Sequence, residues 1–265
     1  MATHHCVKKD DVRRNLNSRY FSIFCLFLLS TAAIADLPTT IAQIKPSIVA
    51  IGTYKKTQSP PFIFRGTGFA LGDGNQIATN AHVLPDLSQI DSPELAILTR
   101  TPGSEGSIRR ARVVAKDGAH DLAIIRLDGP PLPILKLGES SAVHEGQAIA
   151  FTGFPIGGAL GFTPVTHRGI VSAITPIVIP GSNSSQLNMS QIRQIKRGSF
   201  DVLQLDATAY PGNSGSPVFD ANTGTVIGII NMVFIKGSKE AALTNPSGIT
   251  YAIPVEHLKN LIQSN

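Results

Sequence analysis

Short apolar runs rich in Val and Ile recur along the chain from residue 47 onward, separated by Gly, Pro and Asp-Gly turns. Runs of this kind are typical of strands, because β-branched side chains pack well on a pleated surface. The predicted strands form two series of six: Ser47–Ile51, Gly66–Leu71, Gln76–Thr79, Leu95–Thr99, Arg112–Ala115 and Leu122–Leu127, then Gln147–Thr152, Thr166–Ile174, Val202–Asp206, Pro217–Phe219, Val226–Met232 and Ile249–Pro254.

Each series of short strands has two sheet edges that need cover, and closure into a barrel removes both of them. The pattern therefore predicts an all-β protein with two six-stranded antiparallel barrels, the first over about residues 44–128 and the second over about 145–254. A single sandwich is the alternative. The tail Val255–Ile262 has apolar residues at helical spacing and predicts one short C-terminal helix.

The first 35 residues form a separate region with the pattern of a signal peptide. Five basic residues precede an apolar stretch from Tyr20 to Leu29, and Ala33-Ile34-Ala35 supplies the small residues of a cleavage site. We therefore expect export to the periplasm or the medium, with a mature domain over residues 36–265. An uncleaved anchor is the alternative, but the apolar stretch is short for a membrane span.

Removal of this leader changes the composition of the chain. It takes away five basic and two acidic residues, so the formal net charge falls from +5 to +2. The small positive charge that remains no longer favours a nucleic-acid partner. The two cysteines, Cys6 and Cys25, also lie in the leader, so disulfides, thiol catalysis and thiolate metal sites are excluded for the mature chain. We expect no stable membrane association after cleavage.

The candidate nucleophile is Ser214, in the turn Gly212-Asn213-Ser214-Gly215-Ser216-Pro217 between two predicted strands. Small residues let the backbone fold tightly around the hydroxyl. A Gly-x-Ser turn can also aim the backbone N–H groups of Gly212 and Ser214 at one point, which predicts an oxyanion hole. The alternative is an ordinary Gly/Asn/Ser hairpin turn.

A serine needs a neighbouring base, and His82 in Ala78-Thr79-Asn80-Ala81-His82-Val83 is the candidate because it directly follows a strand. The acid that orients it would be Asp121, at the start of the apolar strand Leu122–Leu127. Taken alone, an Asp at this position is more often a turn former.

The segments around His82, Asp121 and Ser214 together resemble the trypsin-like serine peptidases, specifically the bacterial branch related to the HtrA (Deg) proteases and the glutamyl endopeptidases. The order His, Asp, Ser matches this chymotrypsin fold. Thr67-Gly68-Phe69 and Gly169-Ile170-Val171-Ser172 also fit, and the resemblance extends from about Ile44 to Pro254.

The resemblance implies a serine endopeptidase that forms an acyl-enzyme on Ser214, with His82 as base and Asp121 as its orienting acid. It also implies which positions contact the P1 side chain, the residue just before the cut bond. Those positions are Thr208, Ala209, Ile230, Asn231 and Val233. Because none of them is charged, we expect cleavage after small or medium aliphatic residues.

The chain departs from its relatives in three ways. It ends eleven residues after Pro254, so we expect no C-terminal PDZ domain. Asn213 stands where digestive relatives have the Asp that pairs with a new N-terminus. Ser216-Pro217 follows the nucleophile glycine, as in the glutamyl endopeptidases. Gly181–Ser199, which is rich in Ser, Asn and Gln, predicts an exposed loop near the site.

The expected partners are polypeptide substrates, in unfolded or exposed segments, and the oligomeric state stays open. No cofactor is implied, and no metal site is expected because the mature chain has no His-Glu-x-x-His motif or paired histidines. The alternative from another class is a catalytically silent binding or chaperone-like module that keeps the fold. An ester hydrolase would show Gly-x-Ser-x-Gly and a histidine last in the chain, and neither occurs.

Overall fold

The computed structural model describes Met1 and residues 36–86, 92–100, 106–157, 161–176, 200–231 and 249–264. The predicted leader, apart from Met1, and the predicted loop Gly181–Ser199 lie outside the described residues. So does Val233, one of the predicted P1 positions. Among the helices that are described, none has the length and apolar character needed to cross a bilayer.

Two closed antiparallel barrels of six strands each confirm the predicted all-β fold. Barrel one contains β1 Ile48–Tyr54, β2 Phe62–Leu71, β3 Gln76–Asn80, β4 Glu94–Thr99, β5 Ser107–Asp117 and β6 Leu122–Leu127. Barrel two contains β7 Ala148–Gly153, β8 Val165–Pro176, β9 Asp201–Asp206, β10 Pro217–Asp220, β11 Val226–Ile230 and β12 Ile249–Pro254. The strand order is β1-β2-β3-β6-β5-β4 in the first and β10-β11-β12-β9-β8-β7 in the second.

Two helices flank the barrels: α1 spans Leu37–Ile44 and α2 spans Val255–Gln263. The second is the predicted C-terminal helix. It starts directly after β12 and buries Val255, Leu258 and Leu261. Short 3-10 turns lie at Lys45–Ser47, Ala81–Val83 and Ser140–Ala142.

Helix α1 was not predicted from the sequence. Its start has a recognisable signal, because Asp36 is the N-cap and its Oδ1 accepts a 3.2 Å hydrogen bond from the Thr39 N–H. Pro38 lies in the first turn of the helix, where a proline is favoured because its fixed φ suits a helix start. The helix buries only Thr40 and Ile44, so its apolar stripe is too short to produce a clear helical period.

The packing of the core explains why the sequences of many strands are continuous apolar runs. One apolar cluster, including Val49, Ile51 and Ile77, fills barrel one, and a second, including Phe151 and Leu205, fills barrel two. A third cluster takes residues from both barrels and from α2. Its members include Phe69, Leu71, Leu122, Ile124, Phe154, Phe219, Ile253 and Leu258. Strands at this junction are therefore buried on both faces.

Strand β5 is longer than predicted, 11 residues in place of Arg112–Ala115. Only Ala115 is buried in it, and Ile108, Val113 and Val114 are among the exposed apolar side chains. A register shift between Val113 and Ala115 also interrupts its pairing with β6. Because one face carries arginines and the alternation is broken, the strand has only a weak period of two.

Candidate active site

His82 is positioned by a rigid element of barrel one. Strand β3 is buried over its last four residues and passes directly into the 3-10 turn Ala81–Val83. Val83 is 1% exposed and anchors the turn in the core, while the His82 side chain stays 32% exposed. The imidazole is thereby held at the surface on a fixed backbone.

Asp121 lies in the turn before β6 with a φ of 54°, in the left-handed region that non-glycine residues rarely adopt. Its carbonyl oxygen accepts hydrogen bonds from the Ala81 N–H at 3.0 Å and the Asn80 Nδ2 at 3.1 Å. A residue in this conformation persists only where its surroundings hold it. The two bonds fix Asp121 beside the His82 turn.

The Asp121 carboxylate holds His82 at two points. Its Oδ1 accepts the His82 backbone N–H at 2.9 Å, and its Oδ2 accepts the Nδ1–H at 2.6 Å. Since a carboxylate can only accept, Nδ1 carries the proton of the neutral ring. The other ring nitrogen, Nε2, is then the free acceptor that a general base requires.

A third group reaches the same carboxylate: the Nδ2 of Asn231 donates to Oδ2 of Asp121 at 2.8 Å. Asn231 follows β11 in barrel two and is 0% exposed. The family resemblance implied a place for it in the P1 pocket, but the sequence did not predict this bond. Its side-chain amide is engaged with the acid, and its contribution to a pocket stays a prediction.

Ser214 lies in a tight turn that is held by backbone hydrogen bonds on both sides of the serine. The Asn213 N–H donates to the Tyr210 carbonyl at 3.0 Å, and the Gly215 N–H donates to the Ile230 carbonyl at 3.0 Å. Gly212 has a φ of 103°, and Gly215 has a φ of 87°. Only glycine adopts such values readily, which explains why Ser214 has a glycine two positions before it and one directly after it.

Thr67 on β2 connects this turn to barrel one. Its N–H donates to the Ser214 carbonyl at 2.9 Å, and its Oγ1 donates to the Gly212 carbonyl at 2.8 Å. The same Oγ1 accepts the Phe154 N–H at 3.0 Å. Thr67 is 0% exposed, so these bonds are protected from water. The sequence showed the Thr-Gly-Phe segment but not this role, because the contacts join distant parts of the chain.

The peptide between Pro211 and Gly212 is also fixed. The Pro211 carbonyl accepts the Ile156 N–H at 2.7 Å. In a planar trans peptide the N–H points opposite to the carbonyl, so the Gly212 N–H faces away from Ile156. Within the described part of the chain, the N–H groups of Gly212 and Ser214 have no acceptor. This is what the predicted oxyanion hole requires, and the role of these two groups stays a prediction.

The turn that carries Ser214 and Val83, the neighbour of His82, both pack against Gly66 on β2. A Cβ at Gly66 would lie 2.7 Å from Cγ2 of Val83 and 3.1 Å from the Ser214 carbonyl oxygen, so a side chain there would push the two turns apart. In the described structure, no hydrogen bond joins the Ser214 hydroxyl to His82. Such bonds are often long in enzymes without substrate and tighten when substrate binds.

The predicted P1 positions fall into two environments. Thr208 is half-buried, whereas Ala209 is 4% and Ile230 0% exposed, and both belong to the apolar cluster of barrel two. Thr250, which the sequence did not single out, accepts the Ala209 N–H on its Oγ1 at 3.2 Å. Ala209 and Ile230 are thus uncharged and surrounded by apolar groups, while their contact with substrate stays a prediction.

In the described ranges, no group of three or more His, Cys, Asp or Glu side chains is placed to hold a metal ion. The site consists of a histidine held by a carboxylate, a serine in a glycine turn and two backbone N–H groups that have no acceptor among the described residues. These are the parts that nucleophilic acyl transfer needs.

Comparison with known proteins finds peptidases. The family model described as "Trypsin-like peptidase domain" matches residues 66–229. A putative serine protease HhoB of Synechocystis sp. is 29% identical over 75% of this chain and 39% of the relative. A probable periplasmic serine endoprotease, DegP-like, of Pseudomonas fluorescens is 30% identical over 72% of this chain and 33% of the relative. The chain thus spans a third to two fifths of these two relatives.

Solved structures show the same fold. A variant of the HtrA-type protease AlgW with a tripeptide superimposes with a TM-score of 0.60 at 25% identity, over 87% of this chain and 63% of that one. AlgW with a decapeptide gives a TM-score of 0.61 at 24% identity, over 87% and 67% of the two chains.

Proposed function

This chain belongs to the trypsin-like peptidase family, whose model matches more than half of it, and on that premise we propose that it is a serine endopeptidase. The observation that carries the proposal is the hold of Asp121 on His82, at the backbone N–H and at Nδ1. This arrangement leaves Nε2 as the proton acceptor for Ser214. The names of the similar proteins, which are serine proteases and endoproteases, support it.

The reaction begins when substrate brings its scissile carbonyl to the Ser214 hydroxyl. His82 Nε2 takes the hydroxyl proton, and Oγ forms a bond to the carbonyl carbon. The negative charge that develops on the carbonyl oxygen is stabilised by the N–H groups of Gly212 and Ser214, which Thr67 and Ile156 hold in place. The Asp121 carboxylate stabilises the imidazolium.

The intermediate then breaks its C–N bond. The leaving amine takes the proton from His82 Nε2, and the acyl group stays on Ser214 as an ester. A water molecule next gives a proton to His82 and attacks the ester carbonyl. The bond between the carbonyl carbon and Oγ then breaks, His82 returns the proton to Oγ, and the acid product leaves. The chain's own residues perform every proton transfer.

The P1 preference follows from the absence of charged side chains in the proposed pocket. An Arg or Glu side chain beside Ala209 and Ile230 would be buried without a partner, which costs several kcal/mol. An aliphatic side chain gains about 0.8 kcal/mol for each CH₂ that it buries. We therefore propose cleavage after Val, Ala, Ile or Leu. An Ile230→His variant should move the preference toward Glu.

We also propose that the substrates are polypeptides and that the protein is exported, to the periplasm or the medium. The leader-like segment over residues 1–35 supports export, as do the relatives whose names call them periplasmic. The signal peptide, the mature domain over 36–265 and the barrel limits remain proposals.

The test is digestion of unfolded casein by the mature protein, followed by mass spectrometry of the fragments. We expect cuts after aliphatic residues, and no cuts with the Ser214→Ala protein. A map dominated by Arg, Lys or Glu would overturn the pocket. The absence of any cleavage by the wild type would instead favour a silent binding module.

A further inference from the structure

Three aromatic rings pack against one another where helix α2 meets the turn that carries Asp121. The imidazoles of His120 and His257 stack with their centroids 3.9 Å apart and their planes at 20°. The Phe200 ring lies across both, 4.8 Å from His120 and 5.1 Å from His257. Because His120 directly precedes Asp121, this cluster joins α2 to the residue that holds His82.

The Asp117 carboxylate shapes the first half of this turn. Its Oδ1 accepts the N–H groups of Ala119 at 2.8 Å and His120 at 3.2 Å, and its Oδ2 accepts the His120 Nδ1–H at 2.5 Å. Burial raises the pKa of Asp117, but these hydrogen bonds outweigh it and lower the pKa below its ordinary value of 3.8. Asp117 is therefore ionised in neutral and mildly acidic solution, and it keeps the proton of neutral His120 on Nδ1.

The peptide between His120 and Asp121 determines where the Asp121 carboxylate points. The φ of Asp121 is 54°, a value that persists only where the surroundings hold the peptide in place. If this peptide rotated, Asp121 could return to a negative φ, and its carboxylate would move away from the His82 N–H and Nδ1. The ring of His257 is placed to oppose that rotation, because it packs on the His120 side chain.

Helix α2 is anchored more firmly than the turn. Three of its side chains are buried in the core: Val255, Leu258 and Leu261. In addition, Lys259 pairs with Glu139. No residue from 117 to 121 is buried. A force that separates His120 from His257 therefore displaces the turn rather than the helix.

We propose that His257 is a positioning residue for the reaction, because its neutral ring holds His120, and through His120 the turn of Asp121, in the arrangement that His82 requires. Protonation of both imidazoles would place two like charges 3.9 Å apart, which favours their separation. Acid therefore loosens the turn and weakens the hold of Asp121 on His82. The inference rests on the proposed endopeptidase function and adds a pH-dependent support to it.

The charges around His257 agree with a neutral ring in the stacked arrangement. Burial lowers the pKa of His257 below its ordinary value of 6.5, the charge of His120 lowers it further, and Asp117 opposes the shift. The other charged side chains of the segments that meet here are each exposed or paired with an opposite charge: Glu256, Lys259, Lys116, Arg126 and Asp201. His120 and Asp117 are therefore the charged groups that decide the state of His257.

The test measures kcat on one peptide from pH 8 to pH 5. Protonation of His82 alone would lower log kcat by about one unit per pH unit. In the wild type the slope should rise toward about two, because His257 also takes up a proton. In His257→Phe, which keeps a ring over His120 but cannot be protonated, the slope should stay at about one.

His257→Ala removes the ring and should lower kcat at pH 8 by about 10- to 100-fold with little change in KM, since the acid is displaced and no substrate contact is lost. His257→Phe should restore most of this loss. The matched control is Asn260→Ala, which changes an exposed residue of the same helix and should keep both the kcat and the slope of the wild type.

Hydrogen exchange follows the turn without catalysis. The Ala81 N–H donates to the Asp121 carbonyl at 3.0 Å, and its exchange should be about tenfold faster in His257→Ala and slow again in His257→Phe. Equal slopes in the wild type and His257→Phe, with unchanged exchange in His257→Ala, would overturn the inference and leave the endopeptidase intact. No cleavage by the wild type at any pH would overturn both. If His257→Ala does not fold, the slopes of the wild type and His257→Phe decide alone.

Discussion

The Asn231 amide and the His82 imidazole donate to the same oxygen of Asp121, at 2.8 Å and 2.6 Å. Asn231 comes from barrel two, whereas His82 and Asp121 come from barrel one. The acid is therefore fixed by both halves of the molecule, and the orientation of the imidazole depends on how the barrels meet.

Asn231→Ala should lower kcat by about 10- to 150-fold, because a hydrogen bond to a charged group contributes about 1.5–3 kcal/mol. KM should change little, since the amide contacts the acid. The matched control is Asn260→Ala, which changes an exposed asparagine of α2. Steady-state kinetics on one peptide checks both variants. A KM effect without a kcat effect would place Asn231 in substrate binding instead.

Thr67→Val keeps the shape of the side chain but removes its hydroxyl. The Gly212 carbonyl then loses its donor and the Phe154 N–H loses its acceptor, which should lower the free energy of unfolding by about 1–3 kcal/mol. We also expect a lower kcat, because the Gly212 N–H is no longer held. Thr99→Val, at a partly buried hydroxyl that bonds the Ser107 carbonyl, is the control and should affect stability alone.

Gly215→Ala and Gly146→Ala form a matched pair, because φ is 87° at one glycine and 82° at the other. A Cβ at Gly215 would lie 2.0 Å from the Thr67 carbonyl oxygen, whereas nothing lies within 4 Å at Gly146. We expect a loss of about 1–2 kcal/mol for Gly146→Ala from backbone strain alone. Gly215→Ala should cost more than about 3 kcal/mol. Equal denaturation midpoints would contradict the close packing of Thr67 on the turn.

Stability should fall in mild acid because of His257. Burial lowers the pKa of His257 below its ordinary value of 6.5, the neighbouring His120 lowers it further, and Asp117 opposes the shift. The folded protein then binds this proton less tightly than the unfolded chain does. The contribution of neutral His257 to the free energy of unfolding is therefore fully present above about pH 6.5. It is lost as the pH falls toward the lowered pKa.

Urea unfolding from pH 7.5 to pH 5 measures this effect. His257→Gln should flatten the decline, whereas His144→Gln, at an exposed histidine, should leave it unchanged. His167, whose pKa is also lowered by burial, supplies part of the remaining slope. The same slope in wild type and His257→Gln would show that proton binding at His257 does not differ between the two states.

The barrels were predictable because each strand is a local pattern with a turn at its end. His82, Asp121 and Ser214 stood out because each is attached to such a strand or turn. The residues that hold these three side chains in place could not be predicted in the same way. Thr67 and Gly212 are 145 residues apart, and Asn231 and Asp121 are 110 apart, so no spacing along the chain predicts those bonds.

The helix that was missed and the strand that was predicted too short at both ends have local causes. Helix α1 buries only Thr40 and Ile44, so its cap residue Asp36 was a better signal than its period. Strand β5 is exposed over most of its length, and its alternation is broken by a register shift.

The central claim is that Ser214 becomes acylated because His82, held by Asp121, removes its proton. Acid quenching of the protein during turnover of an activated ester, followed by mass spectrometry, measures this directly. We predict an acyl adduct on the Ser214 peptide of the wild type. Its rate of formation should fall about 10⁴-fold or more in His82→Ala and severely in Asp121→Asn, with folding intact. An adduct on another residue, or equal rates in the wild type and His82→Ala, would contradict the account.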